Sequence, residues 1–358
     1  MTQKVAFVLF SCESGGVLSV TQELCEAFSV KYEVHLISLT RVEKPIKKIE
    51  NVLLKDCAAK KTTFLSVFKD SFYELVSYLN EKQIDIVVFQ TPYIGALSIF
   101  VKFFSRKSVK CICCDHGSFV RSQEDLSIKD KVLYYLSLYG AEKTVLLNAR
   151  IAEIAKKQYG APLKKLVTIP NWHNGSIKYH ANTNRLLSVG RLSQEKGFDR
   201  LIRVFELVHK IQPDCVLDIV GDGPLRSELE LQVVKKKLDR SVFFWGMQED
   251  IGKFYEDSII YILPSYREGM PRVLLEAKEY CLPIVAFDIL TGPREIVQDG
   301  VDGFLVEDGN IEEMAQRIIQ LIEDPKLREE FSKNSTKILE LYSKDRILKQ
   351  WYKLFQSL

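Results

Sequence analysis

Short runs of β-branched residues alternate with helical patterns along the chain, and the alternation occurs in two successive blocks. Repeated β-α units of this kind predict parallel sheets with helices on both faces. The expected fold class is therefore α/β, with two doubly wound Rossmann-like domains. The predicted strands are 4–10, 33–38, 85–90, 109–114, 143–147 and 166–169 in the first block, and 185–190, 215–220, 242–245, 259–263 and 283–287 in the second.

The length of 358 residues agrees with two domains of similar size. The predicted seam is the stretch 170–184, which is rich in Asn, His, Gly and Ser and has no periodicity. We expect domains at 1–175 and 183–342. The predicted helices are 17–29, 64–80, 92–104, 128–139, 149–159, 197–210, 224–238, 271–281, 310–322 and the final segment 326–358.

The distribution of charge is uneven although the net charge of the whole chain is only +3. Residues 1–180 carry 25 Lys and Arg against 17 Asp and Glu, whereas residues 181–358 carry 25 against 30. The small total excludes a chain that is basic throughout, and 46% hydrophobic residues exclude a disordered one. The basic half indicates an anionic partner such as a membrane surface or nucleic acid.

The chain has eight cysteines, three of which lie close together in C-I-C-C at 111–114. Cys111, Cys113 and Cys114 lie in a predicted buried strand, so we interpret them as core residues, with a metal or redox site as the alternative. Unpaired cysteines fit a reducing cytoplasm. We interpret the N-terminal segment as a first strand rather than a signal peptide, and no run reaches the ~18 apolar residues of a spanning helix.

Ligands of open α/β sheets bind at the carboxyl ends of strands, and two candidate motifs of the first half lie there. Segment 10–17 carries Gly15 and Gly16 at a predicted helix start, which would allow backbone N–H groups to approach an anion. A plain tight turn is the alternative. Segment 115–118 places His116 after a strand, where a structural, hydrogen-bonded histidine is the alternative.

Two motifs of the second half follow strands in the same way. In 190–197 (G-R-L-S-Q-E-K-G), Arg191 and Lys196 could clamp a diphosphate, with solvated surface cations as the alternative. In 221–224 (G-D-G-P), Arg226 occupies the third glycine position of a dinucleotide fingerprint. We therefore interpret this second motif as a capped turn rather than a nicotinamide site.

The most specific motif has two glutamates, Glu268 and Glu276, separated by seven residues. Pro271 suits the first turn of a helix, so the helix start would present backbone N–H groups to an anion. Those N–H groups belong to Gly269, Met270 and Arg272. Glu268 would face the ligand, and Glu276 could reach ribose hydroxyls. Two glutamates on a helix surface are the alternative.

Taken in order, these motifs resemble those of glycosyltransferase family 4, a large group of retaining enzymes with the GT-B fold. The resemblance covers nearly the whole chain, and its type is that of bacterial glycan assembly. The matching segments are 14–16 (S-G-G), 169–171 (I-P-N), 190–192 (G-R-L), 195–197 (E-K-G), 221–224 (G-D-G-P), 263–265 (L-P-S), the pair Glu268 and Glu276, and 300–306 (G-V-D-G-F-L-V).

The resemblance implies that a nucleotide sugar binds in the second domain. Arg191 and Lys196 would hold its diphosphate, Glu276 its ribose, and Glu268 the transferred sugar near the C3 hydroxyl. The expected donor-binding residues are Gly15, Gly16, Arg191, Lys196, Gly269, Met270, Pro271, Arg272 and Glu276, and the expected catalytic residues are His116, Glu268, Arg191 and Lys196.

The resemblance also concerns the first domain. Gly16 would approach the phosphates, and His116 would lie beside the anomeric carbon. The two domains would face each other across a cleft, and the final helix, 343–358, would pack back onto the first domain.

The expected reaction is retaining transfer of a hexose or N-acetylhexosamine from a UDP-linked donor to a glycan or lipid-linked saccharide, in assembly of a bacterial capsule, lipopolysaccharide or oligosaccharide. Segment 291–296 (T-G-P-R-E-I) resembles a sub-pattern frequent among enzymes that use UDP-linked galactose or N-acetylhexosamines. The chain has no D-x-D motif, so we expect neither a metal nor another cofactor. An epimerase of the same fold and a non-catalytic glycosyltransferase-like subunit are the alternatives.

The basic half suits an acceptor held at an anionic membrane surface. Segment 100–110 mixes aromatic residues with four cations, and an ordinary helix with a solvated basic end is its alternative interpretation. A second cluster contains Lys44, Lys47, Lys48, Lys55, Lys60 and Lys61. We expect a cytoplasmic protein, with peripheral attachment to the inner membrane left open, and no nucleic-acid partner because no nucleic-acid-binding motif accompanies the charge.

Overall fold

A computed structural model describes residues 2–12, 16–42, 49–59, 63–117, 127–173, 175–178 and 183–358. The chain divides into two units. One contains Met1–Pro170 together with Leu348–Leu358, and the other contains Asn171–Ile347. Each unit is built on one parallel sheet, of seven strands in the first and six in the second.

The first unit's sheet has the strand order β3-β2-β1-β4-β5-β6-β7. Its strands are β1 Lys4–Leu9, β2 Glu33–Thr40, β3 Val52–Ala59, β4 Ile86–Phe89, β5 Lys110–Asp115, β6 Lys143–Leu146 and β7 Leu166–Thr168. Its helices are α1 Gly16–Phe28, α2 Phe64–Asp70, α3 Phe72–Lys82, α4 Pro92–Gly95, α5 Ser98–Phe104, α6 Ile128–Gly140 and α7 Ala149–Tyr159. The central strands β1, β4 and β5 are almost wholly buried, as parallel strands covered on both faces should be.

Two predicted helices of this unit are interrupted. The hydroxyl of Ser71 separates α2 from α3 because it donates to the Leu39 carbonyl at 2.7 Å and accepts from the Ala59 N–H at 2.8 Å. At the second break, a Cβ on Gly95 would lie 2.5 Å from the Cys113 sulfur, so glycine allows α4 to approach β5. Both breaks depend on contacts with the sheet, which helical periodicity does not encode.

The second unit's sheet has the strand order β10-β9-β8-β11-β12-β13. Its strands are β8 Arg185–Val189, β9 Val216–Val220, β10 Val242–Phe244, β11 Ile260–Leu263, β12 Ile284–Asp288 and β13 Gly303–Glu307. Its helices are α8 Phe198–Ile211, α9 Arg226–Lys235, α10 Gly252–Glu256, α11 Arg272–Glu279, α12 Pro293–Ile296, α13 Ile311–Glu323 and α14 Pro325–Ser335. The sequence of helix 197–210 predicts one apolar stripe, formed by Phe198, Leu201, Ile202, Phe205 and Val208, and the burial of all five residues in α8 confirms it.

Every predicted strand is present, but β3 and β13 were not predicted. Both are edge strands of their sheets. In β3, Leu53 and Leu54 are exposed, so the segment lacks the apolar pattern of a buried strand. In β13, the first residue is Gly303, whose absent side chain leaves room for the Ile284 carbonyl.

The C-terminal segment is three helical pieces rather than the single predicted helix. After α14 come a 3₁₀ helix, Thr336–Tyr342, and α15, Lys344–Gln356. The part of α15 from Leu348 onward belongs to the first unit. There the rings of Trp351 and Phe355 lie 6.2 and 4.9 Å from Phe28 of α1, centroid to centroid. Aromatic packing on α1 therefore anchors the end of the chain in the first unit.

All eight cysteines are free and buried, which confirms their interpretation as core residues. Burial raises the pKa of the Cys111 thiol to about 12. No helix in the described part of the chain has the length and apolar character needed to cross a membrane. Within the same residues, no group of three or more His, Cys, Asp and Glu side chains is placed to hold a metal ion.

Candidate active site

An ion pair joins the two most informative motifs of the second unit. Lys196 ends a short 3₁₀ helix after β8, and Glu268 lies in the loop after β11. The Lys196 ammonium donates to both carboxylate oxygens of Glu268, at 2.7 and 2.9 Å. The Ser265 hydroxyl donates to the same carboxylate at 2.6 Å. Lys196 is therefore not a solvated surface cation, and the structure brings the predicted phosphate ligand and the predicted sugar ligand together.

A buried arginine fixes the loop that carries Glu268. Arg200 of α8 is 2% exposed, and its guanidinium donates to the carbonyls of Pro264 and Ser265. Its third partner is Asp308, at 2.7 Å. Sequence reasoning missed Arg200, although an arginine directly before Leu201 and Ile202 in the apolar stripe was a signal. A buried guanidinium with three oxygen partners restrains the loop after β11.

Backbone contacts tie the loop after β8 to the loop after β11. The Glu195 carbonyl accepts from the N–H groups of Tyr266 and Arg267, at 2.9 and 3.3 Å. Gly197 has φ +65°, and a Cβ there would lie 2.1 Å from the Pro264 carbonyl oxygen. Only glycine tolerates this conformation and this approach without strain. The contacts hold Lys196 next to the loop that carries Glu268.

The 221–224 motif leads into a turn, in which the Arg226 N–H donates to the Gly223 carbonyl at 3.1 Å, and it packs against the loop that carries Arg191. A Cβ on Gly221 would lie 2.0 Å from the Gly190 carbonyl oxygen, and one on Gly223 would lie 2.4 Å from that of Leu192. The glycines therefore permit close contact between two backbone segments. Helix α9 begins later, at Arg226.

Arg191 lies just past β8, and its side chain is exposed. It has no ion pair among the residues that the structure describes. In this it differs from Lys196, whose charge is compensated by Glu268. The second unit thus presents one cation with a carboxylate partner and one uncompensated cation after the same strand.

Helix α11 begins one residue later than predicted. Its first residue is Arg272, and Pro271 is the N-cap with φ −75° rather than a first-turn residue. Gly269 and Arg272 are half-buried at this start. The Met270 side chain is 8% exposed, and its sulfur accepts from the Asn171 N–H at 3.3 Å. Any contact of Met270 with the expected nucleotide sugar would therefore use its backbone atoms.

Glu276 lies on α11, in the turn after the helix start, and is half-buried. Its carboxylate accepts a hydrogen bond from the Tyr255 hydroxyl at 2.9 Å. Burial raises the pKa of Tyr255, so the hydroxyl remains a donor. The two glutamates of the motif consequently have different partners, an ammonium for Glu268 and a phenol for Glu276.

In the first unit, His116 directly follows β5 and its Nε2 lies 2.9 Å from Oε1 of Gln90. Burial lowers the pKa of His116 to about 4, so the ring is neutral at physiological pH. Gly16 is the exposed first residue of α1, where an added Cβ would meet no atom within 4 Å. Gly15 lies outside the described residues. Sequence reasoning missed Gln90, whose signal is a polar residue at the end of an apolar strand.

The basic segment of the first unit is partly paired. Lys102 of α5 lies 2.6 Å from Glu142, and Lys107 pairs with Asp85. Phe103 of α5 is nonetheless 80% exposed. In the second predicted cluster, Lys55 pairs with Glu74, and the remaining lysines lie outside the described residues. These outside residues are Lys44, Lys47, Lys48, Lys60 and Lys61.

Each of the two units matches a known protein family. Residues 14–174 match the family described as Glycosyltransferase Family 4, and residues 175–338 match Glycosyl transferases group 1. The chain is 32% identical over 349 residues to the amylovoran biosynthesis glycosyltransferase AmsD of Erwinia amylovora, covering 94% of this chain and 95% of AmsD. The chain belongs to the family 4 glycosyltransferases.

Further similarities extend over the full length of this glycosyltransferase. It is 24% identical over 363 residues, 98% of each chain, to a Campylobacter jejuni α-1,4-N-acetyl-D-galactosaminyltransferase that is named for an undecaprenol-PP-linked saccharide. Its fold matches that of Anabaena HepE, solved in complex with UDP-glucose, with a TM-score of 0.83, 20% identity and coverage of 99% and 100%. The glycosyltransferase therefore has the expected GT-B fold.

Proposed function

We propose that this glycosyltransferase transfers a hexose or N-acetylhexosamine from a UDP-linked donor, with retention of configuration, and that the second unit binds the donor. The observation that carries the proposal is the joining of Lys196 and Glu268 at the carboxyl ends of β8 and β11. Those strand ends are where α/β sheets bind ligands. The UDP-glucose complex of the structurally similar HepE supports the choice of nucleotide.

The donor diphosphate binds Arg191 and Lys196 in this proposal. When the sugar leaves, negative charge develops on the β-phosphate, and two cations held by the backbone of the β8 loop stabilise it. The start of α11, at 269–272, adds backbone N–H groups, and Glu276 accepts from the ribose hydroxyls. No metal ion has a role in this scheme.

Glu268 has two successive partners in the proposal. Its carboxylate pairs with the Lys196 ammonium until the diphosphate takes that ammonium, and it then accepts from a hydroxyl of the transferred sugar. His116, neutral because its pKa is about 4, contributes hydrogen bonds rather than charge near the anomeric carbon. In the front-face reaction, the acceptor oxygen bonds to C1, the bond from C1 to the phosphate oxygen breaks, and the acceptor proton goes to the leaving phosphate.

The proposed acceptor is a glycan or a lipid-linked saccharide of bacterial surface polysaccharide assembly. The names of two relatives support it: AmsD is a glycosyltransferase of amylovoran biosynthesis, and the Campylobacter enzyme is named for an undecaprenol-PP-linked saccharide. We place the acceptor side in the basic first unit, which would then dock on an anionic membrane surface.

Exposed apolar residues on neighbouring helices of the first unit support this docking. On α6, Ile128 is 82% and Tyr139 is 52% exposed, and Val132 and Tyr135 continue the same stripe. The ammonium of Lys102 on α5 donates to the Gly140 carbonyl at the end of α6, at 2.5 Å. This contact makes the apolar stripe of α6 a neighbour of the basic segment 100–110, and such a combination suits an anionic lipid surface.

The test is a screen of UDP-, GDP- and ADP-sugars for binding and slow hydrolysis, followed by an acceptor screen with the best donor. Arg191→Ala and Lys196→Ala should weaken UDP binding and turnover together, and Glu268→Ala should lower turnover with the fold intact. Arg317→Ala on α13 is the control, because it removes a cation that has no role in the proposed donor site. Full activity in all three site variants would refute the assignment, and loss of activity with EDTA would refute metal independence. Conversion of the UDP-sugar to an epimer would indicate the alternative reaction.

A further inference from the structure

Two neighbouring strands of the first unit's sheet are each followed directly by a polar residue. β4 lies between β1 and β5, and Gln90 and His116 directly follow β4 and β5. The amide oxygen of Gln90 lies 2.9 Å from the ring Nε2 of His116. Two residues 26 positions apart therefore form one hydrogen-bonded pair at the carboxyl edge of the sheet.

The environment of Gln90 fixes it in place. The residue is 0% exposed, and its backbone N–H donates to the Val8 carbonyl of β1 at 3.0 Å. Its amide nitrogen is buried and has no hydrogen-bond partner in the described part of the chain. A buried polar atom without a partner destabilises the folded state, and an apolar side chain of the same shape would avoid that loss. Packing therefore does not explain the choice of glutamine, whereas the bond to His116 does.

A carbonyl oxygen can only accept a hydrogen bond, so the His116 nitrogen that faces it must carry the hydrogen. In a neutral imidazole the other nitrogen, Nδ1, is then an acceptor. We infer that Gln90 is a positioning residue that holds His116 as the Nε2–H tautomer, so that Nδ1 is the atom offered to a donating sugar hydroxyl. The pairing and the tautomer are independent of the reaction, and only the partner of Nδ1 rests on the proposed function.

A glutamine that positions the ring is distinguishable from one that fills space. Gln90→Met keeps the length of the side chain but removes the acceptor. Because this change also removes the unpaired buried amide, we expect an unchanged or higher melting temperature together with a loss of sugar transfer or UDP-sugar hydrolysis of roughly tenfold to a hundredfold. UDP affinity should not change, since the cations of the second unit bind the diphosphate.

The tautomer is measured directly on the full chain by long-range ¹H–¹⁵N spectra of ¹⁵N-histidine-labelled protein. Wild type should show the Nε2–H pattern for His116, and Gln90→Met and Gln90→Asn, whose amide is one methylene shorter, should convert it to a mixture. His35 is an internal reference, because its Nδ1 pairs with the Tyr78 hydroxyl at 2.9 Å. Its signals should change in Tyr78→Phe and not in the Gln90 variants.

The inference is overturned if the wild type shows an Nδ1–H pattern for His116. It is also overturned if the His116 signals do not change in either Gln90 variant, or if Gln90→Met loses activity only in proportion to a fall in melting temperature. His116→Ala separates this failure from that of the proposed function. If that variant keeps full transfer activity, the proposed role of His116 is wrong, while the spectra still decide whether Gln90 fixes the tautomer.

Discussion

Lys196 and Glu268 bind each other through both carboxylate oxygens, at 2.7 and 2.9 Å, although 72 positions separate them in the chain. The Glu268 side chain is 7% exposed and that of Lys196 is 29% exposed. A diphosphate that binds the Lys196 ammonium therefore competes with a carboxylate already in contact with it. In the proposed donor complex, binding of the diphosphate and the position of Glu268 are coupled through this one ammonium group.

Glu268→Gln should therefore bind UDP more tightly than the wild type while transferring sugar more slowly. The neutral amide no longer competes for Lys196, so we expect a gain in UDP affinity of roughly threefold to tenfold, equivalent to about 1 kcal/mol for a partly exposed pair. Isothermal titration calorimetry with UDP measures it. Glu206→Gln is the matched control, since it carries the same change on a glutamate of α8 that pairs with Lys236, away from the proposed donor site. Weaker UDP binding by Glu268→Gln would contradict the competition.

Arg200→Met should lower both stability and kcat. It removes the donor of two buried carbonyls and the partner of Asp308, so we expect a loss of about 2–4 kcal/mol in the free energy of unfolding, seen as a melting temperature lower by roughly 5–10 °C. Arg203→Met is the control, because Arg203 lies on the same helix and is exposed. If kcat is unchanged below the melting transition, the loop after β11 does not need Arg200 to hold Glu268 in place.

The sequence was sufficient to predict the α8 stripe and all strands except β3 and β13, because periodicity encodes them, and local motifs pointed to Lys196 and Glu268. It did not predict their ion pair, which depends on Gly197 letting the β8 loop touch the Pro264 carbonyl. Gln90 and Arg200 were missed for a related reason. Each is a polar residue at the border of an apolar run, and its importance lies in a partner on a distant element.

His116 should make the first unit less stable at acid pH. Burial lowers its pKa from 6.5 to about 4, so the unfolded chain binds this proton more readily than the folded one. The stability that the neutral ring allows is complete above pH 6.5 and is lost as the pH falls towards 4. Unfolding of His116→Asn and wild type, compared at pH 7 and pH 4.5, should show the variant gaining relative stability at the lower pH.

The same comparison with His35→Asn is a positive control, since burial also lowers the pKa of His35. Groups that titrate alike in variant and wild type cancel in the difference. A stability difference for His116→Asn that does not change between the two pH values would mean that the ring is solvated and binds protons normally.

Phe103 should contribute to binding of the chain at an anionic lipid surface. Its ring is 80% exposed on α5, in a segment that also carries exposed Arg106 and Lys107. Phe103→Ser should weaken binding to phosphatidylglycerol vesicles by roughly tenfold to a hundredfold at low salt, because an inserted phenyl ring contributes about 1.5–3 kcal/mol. Vesicle flotation measures the bound fraction, and Leu231→Ser on α9 of the second unit, 61% exposed, is the matched control.

Charge and apolar contact have separable signatures in that assay. Raising the salt from about 0.1 M to about 1 M shortens the Debye length from about 10 Å to about 3 Å, so attraction by the exposed cations should largely disappear. The difference between wild type and Phe103→Ser should persist at high salt, because ring insertion is not screened. Equal binding of wild type and Phe103→Ser at both salt concentrations would remove α5 from the docking surface. If wild type does not bind anionic vesicles at low salt, the membrane is removed from the proposal, and the transferase assignment is unaffected.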